Sequence, residues 1–235
     1  MAALVHLQLR RAGVVAAAAY VTQVPYLVYL ARVAYPEAIK QRYGAVSAED
    51  LLALDLMRVA VLVILAALIG SFFSERNGLP GLGTVADVKA AWRWIVGAAL
   101  VVMILHLIMG TELPSQFPCE LRWAAVAAVK GAVFDEVVAR YGMMTLMVGV
   151  LRRPFAANVM QAIFFAAVGA RALFFDGGGQ GPGLDLFTLA HLITPLAVAL
   201  LAGHVYVRHG LLAAIALHAA VGLRYFAHAL FSSLC

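Results

Sequence analysis

Long apolar runs separated by short polar segments follow one another along almost the whole chain. Seven of these runs are long enough for a helix that crosses a hydrocarbon core roughly 30 Å thick, which takes about 20 residues. Because backbone polar groups in lipid must bond within their own segment, each run predicts a membrane helix. The predicted spans lie near Ala17–Tyr35, Met57–Phe73, Trp94–Gly110, Ala124–Val150, Phe155–Phe175, Leu186–Val207 and Leu211–Leu234.

Composition indicates the same class of protein. Hydrophobic residues make up 64% of the chain and charged residues 12%, and the mean hydropathy is +0.94. Soluble domains carry about 25% charged residues. We therefore predict an all-α polytopic membrane bundle of about seven transmembrane helices. It is expected to form a single integral membrane domain over residues 1–235, without an internal repeat.

The distribution of Lys and Arg predicts the orientation. Positively charged flanks tend to stay in the cytoplasm, so Arg10 and Arg11 place the amino terminus there and seven crossings place the carboxyl terminus outside. Lys40 and Arg42, in a loop predicted to face outward, are the main counter-evidence, although acidic residues accompany them. A prokaryotic inner membrane is the expected location. The other cations on the predicted cytoplasmic side are Arg76, Lys89, Arg93, Arg152, Arg153 and Arg208.

Charge and cysteine usage argue against several kinds of ligand. The net charge of +5 resides mainly at predicted helix ends, and no basic groove with interleaved aromatic residues is present, so nucleic acid is not an expected partner. Cys119 and Cys235 would both face outward, either paired or as separate thiols. Neither cysteine has metal-ligand spacing and no His-Glu-x-x-His pair occurs. The sequence thus assigns no metal and no other cofactor, but buried His with Glu can ligate zinc, so metal dependence stays open.

Three ionisable residues lie in the middle of the fourth span, where such groups are costly and usually functional. Asp135 and Glu136 are adjacent, and Arg140 follows one turn later. The i, i+4 spacing of Glu136 and Arg140 predicts an ion pair on one helix face, with Asp135 about 100° away. A carboxylate pair held in this way can be tuned to accept a proton from water. The alternative is a polar staple between helices that includes Lys130, because buried ion pairs are often structural.

The stretch Ala132–Gly142 resembles the Glu-Glu-x-x-x-Arg motif of the CPBP family of intramembrane proteases, which includes CAAX-processing endopeptidases and bacteriocin-processing proteins. Arg76–Pro80 resembles the Gly-Leu-Pro turn often found in this family after its second span. Gln161–Val168 resembles the helix that carries its Phe-x-x-x-His motif. The helix pair around Arg208–Gly210, with His218 in its second member, is similar to the last pair of the family, which ends in His-x-x-x-Asn.

The resemblance implies a CPBP-like core at about 121–226 and peptide hydrolysis inside the membrane without a metal. Asp135 and Glu136 would activate water, Arg140 would hold one carboxylate, and His218 would bind the substrate carbonyl. The first three spans match only loosely. The chain also departs from the family pattern at three positions: Asp135 replaces the first Glu, Gly169 stands in place of the first motif His, and Gly222 stands in place of the last Asn.

The missing imidazole can be sought among the other histidines. Counted at about 1.5 Å per residue from the inner end of each span, His191 and His106 come out level with the acidic pair. His191 closes a Phe-Thr-Leu-Ala-His sequence, one span later than the family would place it, and is a candidate substitute. We interpret His106 as a packing residue. On the last helix, Tyr225 shares the face of His218 and could supply the donor that the family Asn would have given.

Three hypotheses about function remain. The first is a divergent CPBP-type endopeptidase that cleaves a membrane-associated, lipid-modified or carboxy-terminally tagged precursor. The second is a catalytically inactive CPBP-like scaffold or partner subunit that binds a transmembrane helix or lipid, which the missing His and Asn favour. The third is a membrane subunit that ligates haem or another pigment through its histidines. Expected partners are membrane lipid, a peptide or transmembrane-helix substrate and a membrane partner protein. The candidate catalytic residues are Asp135, Glu136, Arg140, His218 and His191.

Overall fold

The computed structural model describes residues 2–31, 47–109, 119–175 and 186–231, and all regular structure among them is helical. The first half contains α1 (Ala2–Tyr29), α2 (Ala48–Phe73), a 3-10 turn (Glu75–Asn77), the short α3 (Val85–Ala90) and α4 (Trp92–Met109). α5 (Leu121–Lys130) continues through two π-helical segments, Gly131–Asp135 and Val137–Met144, into α6 (Thr145–Leu151). The remaining helices are α7 (Pro154–Phe175), α8 (Leu186–His209) and α9 (Leu211–Phe231).

Several of these helices suit a membrane. The stretches Ala3–Tyr29, Glu49–Phe73 and Leu211–Phe231 are long and apolar enough to cross one, and Trp92–Leu107 and Pro154–Ala167 form shorter apolar helices. The prediction of a helical protein with membrane-spanning helices therefore holds at this coarser level. The count of seven spans stays a prediction.

Some residues discussed above lie outside the described part of the chain. Lys40 and Arg42 fall in 32–46, which the structure does not describe. For Gly169, which lies in 168–175, the helix is described but the side-chain surroundings are not. Cys119, just before α5, is not a free thiol. Because Cys235 also lies outside the described residues, pairing between the two cysteines stays a prediction.

The continuous helical segment 121–151, called the central helix below, occupies the middle of the bundle. Helices α1, α2, α7, α8 and α9 all contact it. Small residues permit this close packing. A side chain at Gly70 of α2 would collide with the ring of Tyr141, and a Cβ at Gly142 would lie 2.6 Å from the Cβ of Ala66. The central helix is therefore a packing surface that these five helices share.

The exterior of the bundle is rich in large apolar side chains, and a few polar residues are buried inside it. Large apolar residues such as Val14, Val150 and Phe155 are more than two-thirds exposed on the outside of the bundle. Glu136 and Thr145 are fully buried inside it. An apolar exterior around buried polar groups is the arrangement expected in lipid, where polar residues face the interior of the bundle.

Three contacts gather several chain segments at one end of the bundle, called the basic end below. Arg11 forms an ion pair of 3.0 Å with Glu75. The Asn77 side chain donates a 3.0 Å hydrogen bond to the carbonyl of Thr145. The backbone N–H of Leu211 donates to the carbonyl of Gly81 at 3.0 Å. The amino-terminal part of α1, the turn after α2, the last part of the central helix and the start of α9 therefore lie together.

Candidate functional site

The acidic pair lies where the central helix departs from α-helical geometry. Asp135 is the last residue of the first π segment, and Glu136 separates it from the second. A π-helix bonds residue i to i+5, is rare, and is found mostly as a short bulge at functional sites. The pairing of side chains four residues apart is a property of a regular α-helix. The wider turn changes which side chains around the pair are neighbours.

Glu136 forms the centre of a buried three-residue cluster. Its Oε1 lies 3.2 Å from Nη1 of Arg140, the ion pair predicted from spacing, and 2.7 Å from Nδ1 of His218 on α9. The side chains of Glu136 and Arg140 are 0% and 4% exposed, against 22% for His218. A carboxylate paired with arginine is an acceptor, so Nδ1 of His218 carries the proton and donates it. Glu136 thereby fixes the orientation of the imidazole ring.

Arg140 is held from a second direction. Its Nη2 donates a 2.9 Å hydrogen bond to the carbonyl of Ala199 on α8. One guanidinium therefore connects the central helix, through Glu136, to α8, while His218 connects the same carboxylate to α9. Among the described residues, Oε2 of Glu136 and Nε of Arg140 have no hydrogen-bond partner. Unpaired polar atoms at full burial are costly. These two atoms can still accept and donate a hydrogen bond beyond those within the cluster.

Asp135 belongs to a separate ion pair. Nζ of Lys130 lies 2.8 Å from Oδ1 and 3.0 Å from Oδ2 of Asp135. The same ammonium lies over the rings of Tyr26 and Phe134, 5.1 Å and 5.7 Å from their centroids. The Asp135 side chain is 27% exposed. Of the two carboxylates, Asp135 is thus the accessible one, and Glu136 is enclosed.

A glycine leaves space between the two pairs. A Cβ built on Gly131 would lie 3.3 Å from Nε2 of His218 and 3.8 Å from Oδ2 of Asp135. Because Nδ1 of His218 is bonded to Glu136, its other ring nitrogen faces this space. We call it the Gly131 gap. Nε2 of His218 and Oδ2 of Asp135, from two different helices, therefore both lie within 4 Å of the position that a Cβ of residue 131 would take.

The position of the absent family Asn is closely packed. A Cβ on Gly222 would lie 3.2 Å from the Cβ of Ala128 and 3.4 Å from its Cα. α9 and the central helix are therefore in close contact there, and a larger side chain would require a small shift of Ala128. Tyr225, suggested above as a substitute donor, lies beside the Arg224 guanidinium, with 5.3 Å from Cζ to the ring centroid. Its role as a donor to substrate stays a prediction.

The other histidines do not join this cluster in the described part of the chain. The His191 side chain lies outside the described residues, so its proposed part in catalysis stays a prediction. The rings of His106 and His228 pack edge to face, with 5.9 Å between their centroids. No group of three or more His, Cys, Asp or Glu residues that could hold a metal occurs among the described residues.

Sequence reasoning missed the two features that shape the site. Lys130 was considered only as a member of a staple, and Gly131 was not singled out. A signal was present for both, because a lysine and a glycine immediately precede the motif segment in an apolar stretch. The spacing of five residues between Lys130 and Asp135 hid their pairing. In a regular α-helix, residues five apart point about 140° away from each other.

The chain matches no protein-family model, no curated protein and no solved structure. Its function must therefore be inferred from the arrangement of its own residues.

Proposed function

We propose that this protein is a divergent CPBP-type intramembrane endopeptidase that hydrolyses a peptide bond in a membrane-associated precursor. The observation that supports it best is the Gly131 gap, which lies between Oδ2 of Asp135 and Nε2 of His218. The Glu136 carboxylate holds His218 in place at 2.7 Å. Asp135, Glu136 and His218 are residues that the motif resemblance indicated. Glu136 and His218 are 82 residues apart in the chain.

The arrangement gives each side chain a distinct task in amide hydrolysis. A water in the Gly131 gap would transfer a proton to Asp135 as its oxygen attacks the scissile carbonyl carbon. The Nε2–H of a protonated His218 would stabilise the oxyanion that forms, while its Nδ1–H stays bonded to Glu136, which offsets the imidazolium charge. When the C–N bond breaks, Asp135 would return the proton to the departing amine. Water and a peptide are thereby converted into a carboxylic acid and an amine, and Asp135 is again a carboxylate.

Arg140 and the surrounding bundle would act by positioning. The guanidinium fixes Glu136 on one side and the Ala199 carbonyl on the other, so His218 keeps one orientation throughout the reaction. Few polar atoms compete near the cluster, and charge stabilisation is stronger where water is scarce. The proposed fold around it is a seven-span bundle with a CPBP-like core at about 121–226. In this proposal the substrate is a peptide or transmembrane helix within the lipid.

Loss of either carboxylate tests the proposal. Cells that carry Glu136→Gln or Asp135→Asn, each at wild-type abundance, are expected to accumulate the same unprocessed precursor. Carboxy-terminal peptide mass spectrometry of the membrane fraction would identify it. Abundance has to be matched, because removing one partner of a buried ion pair costs about 3–5 kcal/mol. Asp135→Asn is the safer variant, since its side chain is partly exposed.

Two exposed carboxylates provide matched controls. Glu75 and Asp55 also form ion pairs, with Arg11 and Arg58, but lie outside the cluster. Glu75→Gln and Asp55→Asn are expected to process all precursors at the wild-type rate. If neither site variant accumulates a precursor, the protein is not a protease that works through this pair.

A catalytically inactive protein that binds a transmembrane helix or lipid is the second candidate. It is favoured by Gly222, which stands in place of the family Asn and packs closely against Ala128, and by the ion pairing of both carboxylates. Under this alternative, Asp135→Asn would leave the membrane peptidome unchanged. Co-purification of a membrane partner with the wild-type protein, abolished by closing the Gly131 gap, would support it.

A further inference from the structure

Lys130 and Asp135 are brought together by the unusual geometry of the central helix. Lys130 is the last α-helical residue before the π segment, and Asp135 ends that segment. In an α-helix the two side chains would diverge by about 140°. The π turn, which closes between residues five apart, places them on the same side. The resulting contacts, 2.8 Å and 3.0 Å, involve both oxygens of Asp135.

The ammonium is held by more than its counter-charge. Tyr26 of α1 and Phe134 of the central helix present their ring faces to Nζ at 5.1 Å and 5.7 Å from the centroids. Cation–π contacts of this kind are worth most where the cation is poorly hydrated, up to about 2 kcal/mol. The Lys130 side chain is 20% exposed. The ring contacts therefore fix the ammonium, and the ammonium in turn fixes Asp135.

The ion pair itself does not connect two helices. Both residues belong to the central helix, so their ion pair joins that helix only to itself. Its visible effect is local: Oδ2 of Asp135, which accepts from Lys130, is also the oxygen that faces the Gly131 gap. A staple would instead connect Asp135 to a neighbouring helix, as Arg140 does for the central helix and α8.

We propose that Lys130, seated on the ring of Tyr26, is a positioning residue that holds the Asp135 carboxylate toward the Gly131 gap. The inference rests on the proposed function and adds α1 to the site. The resemblance to the CPBP family did not involve this residue or this helix. Asp135 remains the group that contacts water, and Lys130 acts only through it.

The test compares purified full-length Lys130→Met and Lys130→Arg with the wild type on the precursor that Asp135→Asn cells accumulate. Lys130→Met keeps an unbranched side chain without the charge and is expected to lower kcat at least 10-fold with KM unchanged. Lys130→Arg restores the cation and is expected to recover most of that loss. Tyr26→Leu should cause a smaller loss in kcat, about threefold. Lys89→Met, at an exposed lysine, is the control for loss of one positive charge.

The possible results separate the inference from the function on which it rests. Precursor cleavage that fails in Glu136→Gln but continues at the wild-type rate in Lys130→Met would overturn the role of Lys130 alone. A loss in Lys130→Met that is accompanied by a lower unfolding temperature, and is not recovered by Lys130→Arg, would make Lys130 a structural residue. If no precursor accumulates in Glu136→Gln or Asp135→Asn, the proposed function and this inference both fail.

Discussion

At the scale of single residues, the Gly131 gap depends on the absence of one methyl group. A Cβ at this position would lie 3.3 Å from Nε2 of His218, closer than an ordinary carbon–nitrogen contact. In the proposed reaction, it would occupy the position that the attacking water needs. If the reaction takes place in the gap, the smallest possible side chain at residue 131 should block it without changing any charge.

Gly131→Ala is accordingly expected to reduce precursor processing at least 10-fold while leaving the unfolding temperature unchanged or slightly raised. Alanine in place of a helical glycine stabilises a helix by about 0.5–1 kcal/mol, which offsets the tight contact with His218. Rates of precursor cleavage and thermal unfolding in detergent would be measured on the same preparations. Gly97→Ala is the control, because a Cβ there meets nothing within 4 Å. Wild-type processing in Gly131→Ala would show that the gap is not a reaction site.

Part of this site could be predicted from the sequence. The rest could not, for physical reasons. The pairing of Glu136 with Arg140 follows from a spacing of four residues, and His218 was identified by motif resemblance. The contacts of Asp135 did not follow, because π-helical geometry arises from packing against neighbouring helices and leaves no periodic signal. The apolar character of the segments predicted helices correctly. It contained no information about how closely α9 would approach the central helix at Gly222.

At the scale of secondary-structure elements, the link between the turn after α2 and the start of α9 depends on glycines. Gly210 has a φ of 84°, and a Cβ there would lie 2.7 Å from both Cα and N of Gly83. Next to this contact, the carbonyls of Gly81 and Leu82 accept from the first backbone N–H groups of α9. Those groups have no partner within their own helix. The turn therefore caps α9, the helix that carries His218.

Gly210→Ala is expected to destabilise the protein by about 3 kcal/mol, because it combines backbone strain with a collision. Gly78→Ala separates the two effects: its φ is 74°, but a Cβ there meets nothing within 4 Å. That variant should cost only about 1–2 kcal/mol, the usual penalty for a left-handed L-residue. Unfolding temperatures in detergent, compared at one heating rate, would rank the variants. Equal shifts in the two variants would mean that the Gly83–Gly210 contact contributes nothing.

At the scale of the whole molecule, contacts among the described residues bring several chain segments together at one end of the bundle. The ion pair of Arg11 with Glu75 and the bonds from Asn77 to the central helix and from Leu211 to Gly81 all lie at the basic end. In the sequence, the cations predicted to be cytoplasmic lie on either side of the residues that make these contacts. Positive residues beside membrane helices tend to stay in the cytoplasm. The orientation in which the basic end faces inward stays a prediction.

Cysteine labelling across α2 tests that orientation with one helix. At 26 residues, α2 is about 39 Å long, enough to cross a hydrocarbon core of about 30 Å. Glu49 lies in its first turn and Lys89 on α3 beyond its far end, and both are exposed. In a chain that carries Cys119→Ser and Cys235→Ser, a membrane-impermeant maleimide is expected to label Glu49→Cys in intact spheroplasts and Lys89→Cys only after the cells are opened, with the cysteine-free chain as the unlabelled reference. The opposite pattern would invert the bundle, whereas labelling of both in intact spheroplasts would mean that α2 does not cross the membrane. The gap between Asp135 and His218 would then lie outside lipid, and an intramembrane protease would no longer fit the structure.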